Sequence, residues 1–247
     1  MPRHLLLLTL VLLPWMPGHA ACDDPPAPGV IWRECDKSGA DLRGADLRGA
    51  ILTRSNLHGA DLRQARLDRA DLNFADLGGT RLEQAHLPGA RLTGAKLQQA
   101  NFSGALLRGT RFDRAEMNGA ILTAAQLAGA SFYQTVLNGA DFSRADLASA
   151  ELRQAVMQQA RLDGANLYRA NLLQADLERA SLRGTRLEQA RLEKTNLQYT
   201  DLRDADLTRA TLVDARLFET RFDGAKLGGA MWIDRKRCRF DSVGICQ

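Results

Sequence analysis

Outside its first twenty positions, this 247-residue sequence offers few side chains that could do chemistry: two histidines, His58 and His86, four cysteines, and several closely spaced carboxylates. An imidazole can act as general base to a nucleophile or hold a metal, but only with a partner within a few ångströms. Acid pairs such as Asp201 with Asp204 and Glu188 with Glu193 could in principle divide acid and base roles. Arginines flank nearly all of them, a pattern that reads as a solvated mixed-charge surface whose ion pairs contribute little individually. The glycines recur at regular spacing and do not form a phosphate-cradling loop. These residues therefore lead to no assigned catalytic residue, cofactor or metal site.

The elements that must carry these residues begin with an N-terminal leader. MPRHLLLLTLVLLPWMPGHA has a basic start, an apolar run from Leu5 broken by Pro14, and a small-residue exit at Ala20. It reads as a secretory signal peptide over residues 1–20, which leaves no transmembrane segment after cleavage and places the mature chain in the periplasm or outside the cell. Cys22 follows small residues as a lipidated cysteine would, although His19 stands where that motif has leucine. Export makes disulfides the default state of Cys22, Cys35, Cys238 and Cys246, which form one close pair at each end of the chain. The net charge of +4 is concentrated in residues 235–247, where Arg235, Lys236, Arg237 and Arg239 face only Asp241.

Between the two cysteine pairs the sequence is periodic. From Ala40 to Ala230 every fifth residue is Ala, Ser or Thr, and two positions further on, from Leu42 to Trp232, all thirty-nine residues are apolar. A helix cannot use this spacing, because five residues advance a side chain by roughly 140° and would wind the leucines around every face. Extended backbone can, since residues two apart share one side; Ala45 and Leu47 then point inward together and Asp46 outward. The phase must be reset by a corner every five residues. Fifteen glycines, Gly44, Gly49 and Gly59 among them, fall at that position, where an unusual backbone angle is cheap, and Pro88 also occupies a corner.

The phrases ADLRG, ADLRQ, ANLYR, ANLLQ and ADLER resemble the pentapeptide repeat, A-[DN]-L-x-x. The resemblance covers residues 40–234. It implies an all-β fold, a right-handed quadrilateral parallel β-helix of about ten coils and ~47 Å length, in which four pentapeptides make one square turn. The expected organisation is a signal peptide at 1–20, an N-terminal cap at 21–39, the solenoid at 40–234 and a basic C-terminal cap at 235–247. With the caps at opposite ends of such a rod, bridged Cα atoms could not come within about 7 Å across it, so Cys22 should pair with Cys35 and Cys238 with Cys246. His58 and His86 should project from opposite faces and cannot meet. Phe102 and Phe142 should share one interior column, with Phe112 and Phe132 consecutive in another, as core filling.

Some members of the family resemble DNA and bind topoisomerases, a role that needs a polyanionic stripe. Outward charges here are balanced: eight basic to eight acidic on the face of Leu42, eight to five on that of Leu47, seven to six on that of Leu52, and three to five on that of Leu57. Export also separates the chain from such a target. Nucleic-acid binding through the four basic residues of the C-terminal cap is thinly supported. The fourth face differs in kind, being weakly charged and rich in amides, and a strip formed by Met117, Asn118, Val136, Asn138, Val156, Gln158 and Gln159 is the candidate binding surface for a protein or polysaccharide. The sequence thus predicts a non-catalytic exported binding or scaffold protein, with an exported enzyme or effector bearing a surface-built site as the alternative. End-to-end or face-to-face homodimers fit the rod shape.

Overall fold

The computed structural model describes residues 22–247; the expected leader at 1–20 and Ala21 of the expected N-terminal cap lie outside them. The chain is a parallel β-helix with a square cross-section. Every bridge from Ile31↔Ile51 to Thr211↔Met231 joins residues twenty apart, four pentapeptides to a turn. Each side of the square contributes a single bridging residue, the one before each inward apolar residue, so the wall is built of short bridges and not of long strands. The ladder begins at Ile31, so residues 30–39, expected as cap, run in coil register, with Val30 and Trp32 already in the core.

The interior is the one the periodicity implies. From Leu47 to Leu212 every central residue is fully buried, and the Ala, Ser and Thr column beside it is buried with it. Each Leu side chain removed from water contributes roughly 1.5–3 kcal/mol, through contacts with the coils above and below. The polar members of the small column are accommodated because their hydroxyls donate to carbonyls: Thr80 to Leu57 O at 3.0 Å, Thr110 to Leu87 O at 2.7 Å, and Ser55 to Leu52 O at 2.7 Å within its own corner.

Corners are type II turns. The amide of each small residue bonds back to the carbonyl of the inward residue three before it, as Ala45 does to Leu42 at 3.1 Å, and the second central residue has φ near +60°. Between residues 44 and 229, fifteen corners carry Gly and twenty-three carry another residue in the same left-handed conformation. Each of the latter costs roughly 1–2 kcal/mol relative to Gly, which the inter-coil ladder overrides. None is β-branched, the class for which this conformation is least accessible. Pro88 occupies the first central position of its turn, where its fixed φ fits.

One backbone amide per pentapeptide, that of the residue after the inward one, has no backbone acceptor among the described residues. Where Asp or Asn stands two residues earlier, it supplies the acceptor: Asp61 Oδ1 accepts from Arg63 N at 3.3 Å, Asn56 Oδ1 from His58 N at 3.1 Å, and Asp141 Oδ1 from Ser143 N at 2.9 Å. This is the physical reason for the A-[DN]-L order.

Both disulfides join the expected partners. Cys22 and Cys35 have Cα atoms 5.4 Å apart, and Cys238 and Cys246 4.9 Å. With its sulfur bonded to Cys35, Cys22 has no thiol to lipidate. Trp32 closes the first coil, its indole N–H donating to Asp24 O at 3.1 Å and Lys37 Nζ lying 4.3 Å over its ring. At the other end the tail turns back antiparallel over the last coil, pairing Arg237 with Met231 and Val243 with Lys226.

Candidate binding face

The fourth face is carried by the column Leu57, Leu77, Leu97, Met117, Leu137, Met157, Leu177 and Leu197, all fully buried. Met117 is therefore part of the core and not of the strip, a correction to the expectation: it occupies the central position of its pentapeptide, and that position always points inward. The other six residues stand on one wall over three successive coils. Asn118, Gln158 and Gln159 are exposed, while Val136, Asn138 and Val156 are half-buried. Val136 and Val156 are bridge partners. Asn118 Oδ1 accepts the amide of Asn138 at 3.1 Å, and Asn138 Oδ1 that of Gln158 at 3.0 Å. The asparagines thus spend one oxygen each on the coil above and leave their Nδ2 donors outward, while Gln158 Nε2 is tied to Asp176 Oδ2 at 2.7 Å. The strip is bounded by Glu116 on one side and by Asp176 and Glu178 on the other.

His58 lies against Asp76 (Nδ1 to Oδ1 3.6 Å) and His86 stands on the second face, so the two imidazoles are separate. Among the described residues no cluster of three His, Cys, Asp or Glu side chains is placed to hold a metal, and no helix is long and apolar enough to cross a membrane. Shallow clefts of about 480 and 430 Å³ lie on the second and first faces, lined mainly by arginines, carboxylates and glutamines.

Charged residues are mostly paired along or between coils. Arg43 grips Asp41 with two parallel bonds of 2.7 and 2.5 Å, and Arg203 does the same to Asp201. The Arg43 guanidinium, with the Arg43 amide, pulls the Asp41 carboxyl down to about 2. A carboxylate depressed on folding favours the folded state above its unfolded value, and that contribution disappears as pH falls through the folded value. The Asp41 carboxyl carbon should accordingly titrate in NMR with a midpoint near 2; Arg43→Gln should move it up toward the ordinary carboxylate range, and an unmoved midpoint would contradict the assigned cause. In the basic C-terminal segment Arg235 reaches Asp214 at 3.9 Å, Lys236 Asp234 at 3.2 Å and Arg239 Asp241 at 3.3 Å, while Arg237 donates to Gly229 O at 3.3 Å. Three of the four are thus beside a carboxylate.

The structure also brings together a pair that the sequence did not single out. Tyr199 and Phe218, 40% and 58% exposed, meet edge to face at 5.5 Å at the C-terminal end of the fourth face, with Arg179 5.2 Å over Tyr199. Their spacing of nineteen residues, one short of a full turn, is the only signal that could have found them.

No curated protein sequence matches the chain. The family description "Pentapeptide repeats" matches it in eight overlapping copies between residues 33 and 224. Among solved structures, HetL, a pentapeptide repeat protein involved in heterocyst differentiation regulation from the cyanobacterium Nostoc sp. strain PCC 7120, is 33% identical over 85% of this chain and 92% of its own, with a TM-score of 0.55. QnrB1, a plasmid-mediated fluoroquinolone resistance protein, aligns over 69% of this chain and 88% of its own with a TM-score of 0.61 at 20% identity, a likeness of fold alone. No catalytic family is indicated. With a twenty-residue square turn, a buried small-and-leucine lining and eight matched repeat copies, this chain is a right-handed quadrilateral β-helix and belongs to the pentapeptide-repeat family.

Proposed function

We propose that this chain is an exported, non-catalytic binding or scaffold protein, a rod of about ten coils stapled by a disulfide at each end, that engages a protein or polysaccharide through its fourth face. The observation that carries the reading is the uncharged strip of Asn118, Val136, Asn138, Val156, Gln158 and Gln159, contiguous over three coils on the face that carries the fewest charges. A rigid array of outward amide donors at the inter-coil spacing suits a partner that is itself extended or repetitive. Two disulfides among the described residues support an oxidising compartment.

Val136→Glu with Val156→Glu tests this. Glu116 and Asp176 are the bridge partners of the two sites, so this variant stacks four carboxylates and should melt somewhat below the parent; Val136→Lys with Val156→Lys, whose ammonium groups face those acids, is the second variant and should melt close to the parent. Capture of cell-envelope fractions and binding to a glycan array should be lost in both variants. Undiminished capture by either variant would sink the reading.

A further inference from the structure

The uncharged strip on the fourth face has a second row of amides beside it. The corner that leads onto this face carries Gln134, Gln154 and Gln174 in three successive coils, all exposed. Their side chains form a ladder: Arg114 Nε donates to Gln134 Oε1 at 3.3 Å, Gln134 Nε2 to Gln154 Oε1 at 2.9 Å, and Gln154 Nε2 to Gln174 Oε1 at 3.1 Å. The corner that leaves the face carries Asn118, Asn138 and Gln158. Val136 and Val156 stand between the two corners, so two rails of amides flank an apolar floor.

The ladder fixes the direction of its amides and leaves them half used. A primary amide has two donors and two acceptor lone pairs. Gln134 and Gln154 each spend one donor and one lone pair on their neighbours, so one N–H and one lone pair of each remain for a ligand. On the opposite rail the Nδ2 groups of Asn118 and Asn138 have no acceptor among the described residues, and their Oδ1 atoms already hold backbone amides. Glutamine is not what these corners prefer. Gln134, Gln154 and Gln174 have φ of 56°, 57° and 60°, a conformation that glycine adopts more cheaply.

We infer that the two rails and their floor cradle a neutral β-1,4-linked glycan running along the rod axis, an inference that rests on the fourth face being the binding face. Chemistry is the first argument: a pyranose ring has apolar faces to set on Val136 and Val156, and hydroxyl edges that both donate and accept, as the free amide groups require. Period is the second. A β-1,4-linked chain advances by nearly one coil spacing per ring, and each ring is turned over relative to the last, so its two edges alternate between the rails. An extended peptide in the same direction repeats its outward groups every ~6.7 Å against ~4.8 Å between coils, and is out of register by the second coil. Charge is the third, because Glu116 at one end of the floor and Asp176 and Glu178 at the other repel an anionic chain.

Titration of the oxidised full chain with hexasaccharides, followed by the side-chain amide NMR signals, tests this. Cellohexaose or its 2-acetamido counterpart should shift the signals of Gln134, Gln154 and Asn138, and maltohexaose, whose α-1,4 linkages coil the chain, should not. Gln134→Gly with Gln154→Gly removes the rail from corners where glycine is the easier residue, so this variant should melt at or above the parent and bind about tenfold more weakly. Gln64→Gly with Gln84→Gly is the control. That pair is bonded in the same way at 3.1 Å, but on the corner between the first and second faces, and its loss should leave binding unchanged. The inference is overturned if neither β-1,4 hexasaccharide binds, if maltohexaose binds equally well, or if Gln134→Gly/Gln154→Gly binds like the parent. Capture of an envelope protein that is lost in Val136→Lys/Val156→Lys while no hexasaccharide binds would overturn the glycan and leave the binding face standing; capture undiminished in that variant would remove both.

Discussion

Leu127→Asp is expected to abolish the single cooperative unfolding transition of the rod, at a cost of roughly 4 kcal/mol or more. Leu127 is fully buried in a column between Leu107 and Leu147, both equally dry, and its backbone is held on both sides by the inter-coil ladder. Two penalties combine: the lost transfer of a leucine with the space it filled, and a carboxyl group placed where nothing donates to it. In a solenoid each layer is coupled only to its neighbours, so the damage should divide the rod into two arms that melt separately. Gln126→Asp is the control one residue away. It points outward beside Arg108, which donates to Gln126 Oε1 at 3.0 Å and would offset the facing Asp146, and should change stability by no more than about 0.5 kcal/mol. Circular dichroism during denaturant unfolding measures both, and a Leu127→Asp protein that unfolds like the parent would contradict the dry interior.

That contrast between adjacent residues shows how much of the molecule could be read from its letters. The inward columns were legible because burial is imposed on every pentapeptide alike, and Ala and Leu dominate where a polar group is admitted only if, like the Thr80 and Thr110 hydroxyls, it finds a carbonyl. The corners were half legible. Glycine marks them, yet Arg54, Gln64, Tyr199 and twenty further residues adopt the same left-handed backbone, because the ladder on either side fixes the geometry and the side chain only tolerates it. The Asp and Asn column read as exterior polarity until the structure showed one orphan amide per pentapeptide for it to satisfy. The six outward residues of the proposed strip share one wall, but the expectation included Met117, whose position in the pentapeptide is an inward one. The pair Tyr199 and Phe218 lies inside the period on one inter-coil rung, and only its spacing of nineteen residues marked it. The tail at 235–247 lies beyond the periodic pattern, which therefore could not specify its antiparallel return over the last coil.

The rod's middle should be its most mutation-sensitive part, because four phenylalanines meet there across the core. Phe112 and Phe132 stack at 5.0 Å with their planes 10° apart, and Phe102 and Phe142 close the two ends edge to face at 5.8 Å. Each pair belongs to one column, the third face and the first, so the columns were readable from the period but their contact across the interior was not. Phe132→Ala should cost about 3–5 kcal/mol, since it empties a fully buried site and removes both a stack and an edge contact. Phe112→Ala should cost about as much, while the double variant should fall short of the sum by about 0.5–1.5 kcal/mol, the part that belongs to the stacked pair. Denaturant unfolding of the four proteins closes this cycle. Strict additivity would mean that the two rings contribute independently, whereas a coupling of the stated size is the part that belongs to the stack.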